Sequence, residues 1–153
     1  MKHKLQVQLF TKYPKLFRAP LARLGDSKDV REDWEQPAGT VAIDVRGVEC
    51  GDGWFAIIDR LSAACELEIA IAADAGQEKK KWLRVVQVKE KFGSLRFYMR
   101  GALSGELRQQ IDDAQGDESE SFRTCERCGA PGRVRARGLR PPRCDGCEPG
   151  FLV

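Results

Sequence analysis

Apolar positions along this chain recur in short, well-separated segments, and the clearest of them runs from Cys50 to Gly76. In "CGDGWFAIIDRLSAACELEIAIAADAG", Trp54, Ile58, Leu61, Cys65, Ile69 and Ala72 follow one another at steps of four, three, four, four and three. That spacing draws one apolar stripe along a helix. Asp59, Ser62 and Glu66 fall on the opposite side. Asp52 stands where an N-cap residue accepts a backbone N–H, and Gly76 where a left-handed residue ends a helix. The segment predicts a core helix.

Downstream, "KWLRVVQVKEKFGSLRFYMR" reads as a hairpin. Val86 and Val88 alternate before the turn and Leu95, Phe97 and Met99 after it, with Lys89–Ser94, including Gly93, as the turn. Ser104 then caps a second helix with Leu107, Ile111 and Ala114 on its buried face, and Gly116 weakens its far end. Upstream, Val41, Ile43 and Val45 alternate with polar or small residues, which predicts a short half-buried strand. "LQVQLFTKYPKLF" fits either a strand (Leu5, Val7, Leu9) or one helical face (Leu5, Leu9, Phe10), and Pro14 closes it in both cases. Residues 25–40 carry Gly, Pro and mixed charge without a period and read as a connecting loop. No internal repeat is present. The pattern predicts an α+β fold: two main helices, a β-hairpin and a short strand over residues 1–121, with a cysteine-bearing ribbon over 122–153.

Composition narrows the class. The chain has 153 residues, 42% hydrophobic and 32% charged, as expected for one ordinary domain or a compact domain with a small appendage. No apolar run approaches the roughly 20 residues that span a bilayer, so no membrane partner is expected. "MKHKLQVQLF" lacks the long apolar centre of a signal peptide, which points to the cytoplasm. The net charge of +3 is small, but it is arranged in blocks. Residues 1–24 carry Lys2, Lys4, Lys12, Lys15, Arg18 and Arg23 and no acid. Residues 106–121 carry six acids against Arg108, a net of −5, and residues 122–143 carry seven arginines against Glu126, a net of +6.

The last block contains the chain's strongest motif, "CERCGAPGRVRARGLRPPRCDGC". Cys125 and Cys128 form one CxxC pair and Cys144 and Cys147 another, with fifteen residues between them. Ligands at i and i+3 let a tight turn aim two sulfurs at one ion, and two such turns complete a tetrahedral Cys₄ site suited to Zn²⁺. Gly129 and Gly146 offer the backbone freedom that such turns use. A redox CxxC opens a helix in a thioredoxin-like fold, and two matched pairs do not need that reading. A catalytic zinc keeps one position open, whereas four thiolates close the site, so one structural Zn²⁺ per chain is expected. Cys65, on the apolar stripe, and Cys50, before the Gly-Asp-Gly turn, are expected to be buried thiols.

"KYPKLF", "ECGDGWFAIIDRL", "VQVKEKFGSLRFY" and "CERCGAPG…CDGC" stand here in one order. In these motifs the chain resembles a family of small phage- and prophage-encoded proteins, and the resemblance covers most of its length. It implies a helical start, a hairpin and a zinc-knuckle C-terminus, at work in a bacterial cytoplasm during infection or lysogeny. It implies no reaction. Members of that family carry an aromatic-rich stretch between the cysteine pairs, whereas here the interval is "GAPGRVRARGLRPPR", rich in arginine and without an aromatic residue.

Catalytic parts are scarce. The single histidine, His3, stands near a terminus, which argues against histidine-dependent triads and HNH-type nucleases unless a partner holds the residue. "GDGW" has neither the lysine nor the spacing of a phosphate-binding loop. Asp112, Asp113, Asp117 and Glu118 read as a solvated helix face before a Mg²⁺ site. A carboxylate-based enzyme stapled by metal is the outlying reading, and a non-enzymatic binding protein the favoured one. In one form, a small factor docks onto a host protein, a nucleoprotein machine or a defence complex and redirects or inhibits it. In the other, Arg133, Arg135 and Arg137, on one face of a strand, and Arg140 and Arg143 beside Pro141-Pro142 contact phosphates of DNA or RNA. The same arginines could instead edge a solvated ribbon or bind the acidic helix before it.

Overall fold

The computed structural model of the chain describes residues 1–18, 41–134 and 140–148. Helix α1 spans His3–Lys12, α2 Ala42–Arg46, α3 Phe55–Asp74 and α4 Gly105–Ala114. Strands β1 (Val48–Glu49), β2 (Arg84–Lys91) and β3 (Ser94–Arg100) form one sheet in that order. β1 runs parallel to β2, with α3 as the crossover, and β2 is antiparallel to β3. The α+β expectation stands. Among the described residues no helix is long and apolar enough to cross a membrane. The loop expected over 25–40 lies outside the described residues.

The ambiguous start is helical. Leu9 and Phe10 are buried on α1, and the turn that follows buries Tyr13, Leu16 and Phe17. α3 explains the choice: its Asp59 carboxylate accepts from Lys12 Nζ and from the Tyr13 hydroxyl at 2.8 Å, and Glu66 accepts from the Leu16 N–H at 2.8 Å. The polar side of α3 is thus occupied by its neighbour rather than left to solvent, and Ser62, expected on that side, is fully buried.

The strand expected over Val41, Ile43 and Val45 is helix α2 instead. Asp44 explains the change: its side chain accepts the Val41 N–H at 3.1 Å, which winds the segment into a turn, and it also takes Arg84 from β2. Alternation over five residues is too short to distinguish the two periods. The actual strand, Val48–Glu49, comes directly afterwards.

The hairpin is tighter than expected. Lys91 pairs with Ser94, leaving Phe92 (φ 55°) and Gly93 (φ 82°) as a two-residue turn with left-handed backbone at both positions. The ladder is irregular between Val85 and Gln87, so Val85 and Val88 reach the core while Val86 is only half-buried. On α4 the expected face holds. The Ser104 hydroxyl accepts from the Leu107 N–H at 3.0 Å, and Leu107, Ile111 and Ala114 are buried.

Candidate metal centre

The first cysteine turn is closed by backbone bonds. Cys125 N–H donates to Ala130 O at 2.7 Å and Gly129 N–H donates back to Cys125 O at 2.8 Å. Gly129 takes φ 82°, which a side chain would resist. Gly146 does not have a positive φ, and a Cβ there would meet only Cys144 Sγ at 4.0 Å. That glycine is not needed for the second turn, which closes when Cys147 and Glu148 N–H groups donate to Cys144 O. Reciprocal bonds between Arg133 and Arg143, both 3.1 Å, hold the two turns together.

This framework gathers the sulfurs of Cys125, Cys128, Cys144 and Cys147 within 4.8 Å of one another. Cys128 and Cys144 Sγ stand 3.5 Å apart. Four thiolates about a tetrahedral ion at about 2.3 Å lie about 3.8 Å apart, so the set fits a metal of that size. Burial raises the Cys125 thiol, but backbone N–H groups of Cys144, Cys128 and Arg127 outweigh it and hold the group down at about 6. The thiols of Cys128 and Cys144 push Cys147 up to about 12. Four crowded sulfurs therefore resist joint ionisation, and a divalent cation among them removes the conflict. The other two cysteines, Cys50 and Cys65, are buried thiols pushed up to about 12 by that burial.

Sequence reasoning missed how the centre is mounted on the core. Asp52 does not cap α3; its carboxylate accepts the Lys2 N–H at 2.7 Å and pairs with Lys2 Nζ at 3.1 Å. The chain enters α3 through a 3₁₀ turn, Asp52–Trp54, and this turn carries the first cysteine loop. Gly53 N–H donates to Glu126 O at 2.7 Å, and Gly51 N–H to the Glu126 carboxylate at 2.6 Å. Trp54, fully buried, donates its indole N–H to Thr124 O at 3.0 Å. A Cβ on Gly53 would lie 2.0 Å from Cys125 O and 2.4 Å from Gly129 N, so only glycine permits this approach. The two glycines flanking Asp52 were the available signal, since a glycine permits another backbone to come close.

The arginines separate into different roles. Arg143 turns inward and donates to the Glu126 carboxylate at 2.7 Å, fixing the residue that anchors the first loop. Arg133 pairs with Asp145 at 3.4 Å and stays 71% exposed, and Arg140 lies 3.9 Å from Glu148 at 74% exposed. Arg135 and Arg137 lie outside the described residues. Among those described, no ribbon arginine pairs with the acidic segment 106–121; Glu120 instead binds Arg60 of α3. Compared with protein-family models, with curated proteins and with solved structures, the chain matches none.

Proposed function

We propose that this chain is a non-enzymatic, zinc-stapled accessory factor of phage type that binds a host macromolecule in the bacterial cytoplasm. The carrying observation is the Cys₄ set: four sulfurs from two turns lie within 4.8 Å of one another, and four thiolates about one tetrahedral ion would leave no position for water or substrate. Soft thiolate donors in that geometry favour zinc. The accessory-factor part is supported by the motifs shared with the phage and prophage family, and by a single, exposed histidine. A factor that redirects or inhibits a host nucleoprotein or defence complex needs a rigid small scaffold with charged surfaces, which a metal staple can supply.

Two measurements test the proposal. Metal analysis of protein purified without chelator should find about one zinc per chain; well below one contradicts the staple. Affinity capture from host lysate after nuclease treatment should retain one stoichiometric partner protein, and recovery of nothing, or only of nuclease-sensitive material, contradicts a protein partner. A second reading, nucleic-acid contact through the ribbon, is favoured by the exposure of Arg133 and Arg140, which weak surface pairs do not neutralise. Its signature is binding that falls with salt.

A further inference from the structure

The most basic stretch of the chain is the hairpin rather than the ribbon. Residues 79–100 carry eight Lys or Arg against Glu90, a net of +7, compared with +6 over 122–143. Several of these charges are already compensated: Lys80 and Lys81 pair with Glu78, and Arg84 with Asp44. Lys89, Lys91, Arg96 and Arg100 make no ion pair among the described residues. Lys89 stands directly opposite Arg96 in the β2–β3 register, and Arg84 opposite Arg100. Like charges opposed across strands repel, so this arrangement raises the free energy of the unbound protein. Glu49 stands beside Lys89 in the β1–β2 register, but its carboxylate is shared with Gln87 and Arg46, and Glu90 turns back to accept the Gly93 N–H, so the acids offset these cations only in part.

Exposed aromatic rings accompany these cations. Tyr98 is 40% and Phe92 58% exposed, with Lys89 Nζ 5.8 Å from the Tyr98 ring centre and Lys91 Nζ 5.0 Å from that of Phe92. The rings lie about five residues apart along the hairpin, about 17 Å by strand rise. The hairpin tip lies against the ribbon: a Cβ on Gly93 would be 3.3 Å from Arg140 O and from Val134 Cγ2. We infer that the open side of the β2–β3 hairpin binds single-stranded nucleic acid. Bases stack on Tyr98 and Phe92, and Lys89, Lys91, Arg96 and Arg100 take the phosphates between and beside them. A stacked base displaces the lysine from its ring and leaves that ammonium to a flanking phosphate. The track continues onto Arg140 of the ribbon.

This inference gives the binding-module reading a partner, yet the two fail separately. The probe is fluorescein-labelled oligo(dT), with oligo(U) as the RNA arm and a blunt duplex of equal length as the competitor, read by anisotropy on full-length protein. Both single strands should bind, the duplex more weakly. Phe92→Asn with Tyr98→Thr should weaken single-strand binding about tenfold or more. Phe92→Asn suits the left-handed turn position and threonine suits a strand, so misfolding does not account for the loss. Lys89→Gln with Arg96→Gln removes the opposed charges, at the loss of the Arg96 bonds to the Ser94 hydroxyl and Leu95 O, and with an unchanged circular dichroism spectrum should reduce the salt slope by about 1.4 for two phosphates. No binding at low salt, variants that bind like the parent, or a duplex bound as tightly as the single strands would each overturn it. Capture of a nuclease-resistant protein partner by a chain that ignores these oligonucleotides would leave the function proposed above standing.

Discussion

Gly53 and Glu126 help couple the cysteine centre to the core. Gly53 lets Cys125 O and Gly129 N approach where a methyl group would overlap both, so Gly53→Ala should weaken metal retention at least tenfold. Gly146→Ala, whose Cβ meets only Cys144 Sγ, should retain metal like the parent, and a zinc-chelator competition measures both. Glu126 joins the Gly51 N–H to the Arg143 guanidinium with little solvent contact. Replacing it by Ala strands both donors and should cost about 2–3 kcal/mol by denaturant titration. Asp52 acts more weakly and at the surface. Chiefly through the Lys2 backbone N–H, its folded pKa lies below the ordinary 3.8. A depressed carboxylate stabilises above its unfolded pKa and loses that effect as pH falls through the folded value. Asp52→Asn should therefore lower stability by less than about 1 kcal/mol near neutral pH, and the difference should start to shrink as pH falls below about 4 and vanish only below the folded value.

At the scale of elements, period decided what sequence could show. α3 and α4 are long enough for a 3.6-residue stripe to be unmistakable, and Ser104, Leu107, Ile111 and Ala114 stand where the pattern puts them. Over Val41–Arg46 the same reasoning fails, because alternation across five residues suits a strand while the Asp44 bond to the Val41 N–H winds a helical turn. The N-terminal segment fits both periods, and only the donors it offers to Asp59 and Glu66 choose the helix. In the hairpin the irregularity between Val85 and Gln87 changes which valines face inward, a shift without a composition signal. The turn itself is testable. Phe92 holds φ 55°, a conformation that asparagine adopts at less cost, so Phe92→Asn should raise thermal stability by about 1 kcal/mol.

For the whole molecule, the four-cysteine cluster and the core form one connected unit through Gly51, Gly53, Trp54, Glu126 and Thr124. Chelation should accordingly lower the midpoint of thermal unfolding of the entire chain, rather than melt the ribbon alone, as followed by the helical signal of α3. Cys65, protonated and buried, should remain unalkylated at pH 8 until that unfolding occurs, as mass spectrometry of the alkylated chain measures. By itself the sequence determined which four cysteines cluster, because CxxC spacing is a local property of two turns, and it determined the main helices, because their periods are long. It could not determine the Gly51–Gly53 mount, the inward turn of Arg143 or the aromatic–basic side of the hairpin. The first two join segments apart in the chain, and the third depends on register. Glu126 meets Gly51 across 75 positions, and Lys89 meets Arg96 only once the strand register is set. Local pattern specifies which elements form, but packing alone decides which of their surfaces are used up and which remain open.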